Sequence, residues 1–150
     1  MKAAAIAVLL LMLPWLADAE QSRDRINVVA RVLPHVSLEA LQEPSALDVS
    51  ENDLERGFVE ARARYAVQTN ARDGYTLRFA PRVGLADRIL IHGLGSPVVL
   101  GDLEVDVLQA AAAAVIELSF RIELGPGLIV GSYPWPVSVT ASADWTPAKK

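Results

Sequence analysis

Between residues 58 and 69 the chain alternates apolar and polar positions with a period of two. Val59, Ala61, Ala63, Tyr65 and Val67 fall on one side, and Glu60, Arg62, Arg64 and Gln68 on the other. A helix would scatter these apolar residues around its circumference, whereas a strand gathers them on one face. The pattern returns at Tyr75, Leu77 and Phe79, with Thr76 and Arg78 opposite. The polar run Asn70-Ala71-Arg72-Asp73-Gly74 between the two segments ends in a turn residue, which predicts a strand-loop-strand unit.

Two later stretches repeat the alternation. Leu103, Val105 and Val107 oppose Asp102, Glu104 and Asp106. Ile116, Leu118, Phe120, Ile122 and Leu124 oppose Glu117, Ser119, Arg121 and Glu123. The second stretch predicts a core strand of an antiparallel sheet whose other face meets water. A last strand is expected over residues 133–143, with Tyr133, Trp135, Val137, Val139 and Ala141 on one face. Pro134 and Pro136 fall on the opposite face, and their missing N–H donors predict that this side begins against solvent or a loop.

Shorter candidates complete the set. Residues 26–32 (INVVARV) are rich in β-branched side chains and open the domain, and residues 35–41 resume after Pro34. Residues 46–50 read as a short strand, and residues 89–92 and 97–100 flank a glycine hairpin, Gly93-Leu94-Gly95-Ser96. Residues 51–55 predict a short turn, and the alanine run at 110–114 a loop or one helical turn. The sum is an all-β fold, an antiparallel β-sandwich of about 7–9 short strands.

The first residues change the picture of where this domain works. Met1-Lys2 precedes an apolar stretch from Ala3 to Ala17, and Ala17-Asp18-Ala19 offers small residues for cleavage before Glu20. Such a sequence reads as a secretory signal peptide. Its apolar part, roughly 15 residues, is shorter than the roughly 20 needed to span a bilayer. The expected organisation is a signal peptide at 1–19, a β-sandwich domain at 20–143 and a C-terminal tail at 144–150. The expected location is the periplasm, the cell surface or the medium, with no transmembrane segment after cleavage. Removing 19 of 150 residues leaves 131, enough for one domain with a sizeable core.

Charge and composition then exclude function classes. The net charge of −4 disfavours nucleic acid as a partner, because neutralising phosphates takes a basic surface. With no cysteine, the domain must stand on packing and hydrogen bonds. His35 and His92 are the only histidines and lack metal-ligand spacing, so no metal site is expected. The acidic stretch from Asp48 to Glu55 lacks the glycine and distal glutamate of an EF-hand loop, and reads as a solvated turn. Gly93-Leu94-Gly95 fails as a dinucleotide fingerprint, since residue 98 is Val and no crossover helix follows. No nucleophile elbow is present, and paired carboxylates sit on outward faces, so neither enzymatic activity nor a cofactor is expected. Trp145 lies outside the alternation and is the candidate for an exposed contact.

Three segments carry a family resemblance. They are residues 26–32 soon after the cleavage site, residues 67–77 (VQTNARDGYTL), and residues 131–140 (GSYPWPVSVT) with a Gly-x-Tyr start to the final strand. Together they resemble bacterial pilin-like subunits, including the spore coat protein U-like group exported by chaperone-usher systems. The resemblance implies an immunoglobulin-like sandwich that lacks one strand, which a neighbouring subunit supplies by β-strand addition. Partners would be other subunits or a periplasmic chaperone, and the product a surface fibre, a fimbrium. In that scheme Ile26, Val28, Ala30 and Val32 are either part of the first body strand or the plugs of a donor strand. A complete secreted sandwich that binds a ligand or partner through its loops, without polymerising, is the other reading.

Overall fold

The computed structural model describes residues 29–82, 86–110 and 112–143. The chain divides into Met1–Arg31 and Val32–Lys150, and the architecture below is that of the second unit. It is mostly β, 59% strand and 5% helix, with antiparallel sheets in a sandwich-like arrangement. The strands among the described residues are β1 (Val36–Gln42), β2 (Ala46–Val49), β3 (Phe58–Thr69), β4 (Tyr75–Pro81), β5 (Ala86–His92), β6 (Val98–Leu100), β7 (Val105–Gln109), β8 (Ala114–Leu124), β9 (Gly131–Pro134) and β10 (Val137–Ser142). One helix, α1 (Glu51–Arg56), links β2 to β3.

Five strands form one sheet in the order β1-β3-β8-β5-β6, three form a second in the order β10-β4-β7, and β2 pairs with β9 as a separate ribbon. Every pairing is antiparallel. The alternation predicted from sequence sets the layers. Ala63, Tyr65 and Val67 of β3, Leu118, Phe120 and Ile122 of β8 and Ile89 and Ile91 of β5 point into one core. Tyr75, Leu77 and Phe79 of β4 and Leu47 and Val49 of β2 fill the same core from the other side. Beyond the polar atoms of Tyr65, Tyr75 and Trp135, no charged or polar side chain is buried among the described residues. That is what a chain with no disulfide needs, because desolvated polar groups would subtract from the apolar burial that stabilises it.

Several expectations are corrected. Residues 29–35 form no strand, and the first strand among the described residues starts at Val36. Val36 already pairs with Thr69, the last residue of β3, so residues 29–35 run past the end of that ladder. Asn70 straps this entry instead: the His35 N–H donates to Asn70 Oδ1 at 2.6 Å, and Asn70 Nδ2 donates to the Leu33 carbonyl at 3.2 Å.

The expected turn at 51–55 is the helix α1. Ser50 and Asp53 form a capping box, each side chain taking the other's backbone N–H, and Gly57 closes the helix in the left-handed region at φ 76°. Leu103 is not in a strand; it is 80% exposed, and β7 begins two residues later.

The expected single last strand is broken. Trp135 and Pro136 separate β9, which pairs with β2, from β10, which pairs with β4. Both residues of the break are buried, so Pro136 does not face solvent as its place in the alternation predicts. Proline cannot donate to a ladder. Here the chain changes sheets at that point, and the Pro136 carbonyl still accepts from the Arg82 N–H at 2.8 Å. This break divides the expected last strand in two, and the described residues hold ten strands.

Candidate functional site

A β-rich domain offers two kinds of surface for recognition, its sheet edges and its solvent faces. The edges follow from strand order. In the five-stranded sheet they are β1 and β6, and in the three-stranded sheet β10 and β7. Strand β10 also lies against β1, so these two edges form one side of the domain. Each uses one side of its backbone for a ladder, β1 with β3 and β10 with β4. The other side of each carries N–H and C=O groups with no strand partner among the described residues.

Apolar side chains line this seam without being fully covered. Val36 and Leu38 of β1 and Val139 and Ala141 of β10 pack against the core but stay half-buried. The central strands differ: Phe79, Ile91 and Ile122 are each 0% exposed. The contrast has a simple cause, since an edge strand has a neighbour on one flank and a central strand on both. Trp135, in the break just before β10, is 3% exposed. Its ring meets Phe120 edge-on, and its indole Nε1–H has no acceptor among the described residues.

The residues singled out from sequence take these positions. Ala30 and Val32 are exposed and outside any strand, Val32 by 79%. Ile26, Val28 and Trp145 lie outside the described residues. The acidic stretch at 48–55 is engaged by its own helix cap: Asp53 accepts from the Ser50 N–H at 3.0 Å and from Ser50 Oγ at 2.6 Å, and pairs with Arg56. The Ser50 hydrogen bonds, with Arg56 beside them, hold the Asp53 carboxyl below the usual carboxylate range.

The solvent faces carry cross-strand ion pairs. On the three-stranded sheet Arg78 lies opposite Asp106 and grips it through two bonds of 2.8 and 2.9 Å, with Glu104 3.7 Å away. On the five-stranded sheet Arg88 lies opposite Glu123, with contacts of 3.1 and 2.8 Å, and Arg64 lies opposite Glu117 at 3.1 Å. The sequence shows the acidic rows, but their partners come from strands distant in sequence, 35 residues away for Arg88 and Glu123. Only the register between strands brings them together.

Fold and edges together define an all-β, sandwich-like domain with a half-covered seam at its β1 and β10 edges. No protein-family model, curated protein or solved structure matches the chain. No helix among the described residues is long and apolar enough to cross a membrane.

Proposed function

We propose that this chain is an exported, non-enzymatic subunit that resembles pilins and joins its neighbours by β-strand addition at the β1–β10 seam. The observation that carries this reading is the pairing of a receptive edge with a candidate strand. Val36, Leu38, Val139 and Ala141 lie half-covered beside unpaired backbone. Just upstream, Ala30 and Val32 are exposed and join no strand. With Ile26 and Val28 they continue an alternation of the kind that an added strand sets into an apolar groove. Main-chain hydrogen bonds would supply the affinity and the alternate side chains the register. The signal peptide read at 1–19 would deliver the chain to the compartment where such fibres form.

The complete sandwich that binds without polymerising has an observation in its favour too. The core is sealed without an added strand, with Val137, Phe120 and Leu47 each no more than 2% exposed.

One experiment separates the two. The domain is purified without residues 20–33, and its oligomeric state and unfolding midpoint are measured with and without a peptide of those residues. Strand addition predicts a domain of marginal stability whose midpoint rises with peptide concentration, because a ligand that binds only the folded state stabilises it by mass action. A stable monomer indifferent to the peptide overturns that reading and leaves the complete sandwich.

A further inference from the structure

On the outer face of the five-stranded sheet, cross-strand ion pairs neutralise two rows, and a charged row between them is left out. Arg64 meets Glu117 in one row and Arg88 meets Glu123 in another. Between them, register places Arg62 opposite Ser119 and Ser119 opposite His92. That row holds no carboxylate. Among the described residues neither Arg62 nor His92 has an ion-pair partner. The adjacent row sets Glu60 opposite Arg121, whose guanidinium lies 3.8 Å over the Phe58 ring.

Ser119 is the smallest outward residue of β8, where Glu117, Arg121 and Glu123 flank it. A short side chain between long ones leaves a hollow. The structure has an open depression of about 540 Å³ at this place, lined by Glu60, Arg62, His92, Ser119 and Arg121 among others. Arg62 and Ser119 also border a second hollow of about 480 Å³ on the other side, with Arg64 and Glu117. Strands lie about 4.8 Å apart, so Arg62 and His92 stand roughly 10 Å from each other across Ser119.

We propose that the depression over Ser119 binds one oxyanion group, held between Arg62 and His92 with the Ser119 hydroxyl as a third donor. Arg62 offers a forked pair of N–H donors to a carboxylate, sulfate or phosphate, and a charge-assisted bond to such a group is stronger than a neutral one. Glu60 on the rim would repel an anion, but Arg121 opposite it supplies a compensating charge. The half-open shape suits a charged group carried on a larger ligand as well as a free ion. This site lies on the solvent face of the sheet and does not depend on strand addition at the β1–β10 seam.

Calorimetric titration of the folded chain with inorganic phosphate, with acetate and with trigalacturonate tests the proposal. Saturable binding of one equivalent is expected for at least one probe. Phosphate binding most tightly identifies a free or esterified phosphate as the source, and trigalacturonate binding more tightly than acetate identifies a carboxylate borne on a glycan. Arg62→Gln should weaken the best probe by about tenfold or more, because the charge and its forked donors are lost together. Ser119→Leu, which fills the hollow and keeps both flanking side chains, should abolish binding. Arg72→Gln, a change of equal charge in the β3–β4 loop, should leave it intact. No saturable binding of any probe, or equal weakening by Arg62→Gln and Arg72→Gln, overturns the proposal. All three positions are exposed, and an unchanged unfolding midpoint confirms that each variant is folded.

Discussion

Trp135 presents its ring edge-on to Phe120, with centroids 5.3 Å apart and planes at 85°. The contact joins the break between β9 and β10 to the centre of β8 and so ties the sheet-changing segment to the core. An edge-to-face pair adds about 0.5–1.5 kcal/mol beyond the area it buries.

Trp135→Ala should therefore cost about 3–5 kcal/mol, the range for removing a buried aromatic. Trp135→Phe keeps an aromatic ring and removes an N–H that has no acceptor among the described residues, so it should cost clearly less. Urea unfolding of the two variants beside the parent measures both. Equal losses would show that the indole N–H is paired in solution.

Gly93 leaves β5 at φ 111°, and a Cβ built there would stand 2.1 Å from the Glu117 carbonyl oxygen on β8. Gly95 has φ 84° but open space around it. Gly95→Ala should cost about 1–2 kcal/mol for the left-handed backbone alone. Gly93→Ala adds a clash with backbone that cannot move without disturbing the β5–β8 ladder, and should cost more. Thermal unfolding of both variants checks the order.

The pH dependence should be two-sided. Tyr65 is 3% exposed, and its hydroxyl donates to Glu43 Oε1 at 2.7 Å. Burial first, and the Glu43 carboxylate second, push its pKa up. A raised folded-state pKa means that the unfolded chain loses this proton first, so the contribution is full below about pH 10 and is lost as pH rises above that. Tyr65→Phe should flatten this alkaline fall while lowering stability at neutral pH. In acid the sign reverses. Hydrogen bonds from Arg78 and Arg88 lower the pKa values of Asp106 and Glu123, and the Ser50 cap lowers that of Asp53. Their contribution is present above the ordinary carboxylate pKa near 4 and fades as pH falls through the lowered values. Unfolding midpoints measured from pH 2 to 11 trace both limbs.

The long strands are legible because each alternates with the core it faces. Residues 58–69 and 116–124 need only period two to reveal both their type and their buried side, whereas the start of β8 at Ala114 falls in the alanine run expected as a loop or helical turn. The breaks are not legible in this way. Tyr133, Trp135, Val137 and Val139 keep perfect alternation, yet the chain changes sheets between Pro134 and Val137, because periodicity describes a side chain's direction and not its strand's partner. The Asn70 strap is hidden for a related reason. Its short side chain reads as a turn former, while its function is to bind His35 and Leu33 more than thirty residues away.

The surface follows the same division. Outward Arg and Glu positions can be assigned from sequence, since alternation places them there whatever the topology. That Arg78, Arg88 and Arg64 find carboxylates while Arg62 finds a serine depends on which strands are neighbours and in what register. The half-covered seam also depends on strand order, because β1 and β10 are edges only once the sheets are assembled. Local pattern, set by the geometry of one extended chain, accounts for the all-β class and the inward faces. Long-range pairing, a choice among many strands of similar pattern, accounts for the edges, the sheet change at Trp135 and the uncompensated row at Ser119.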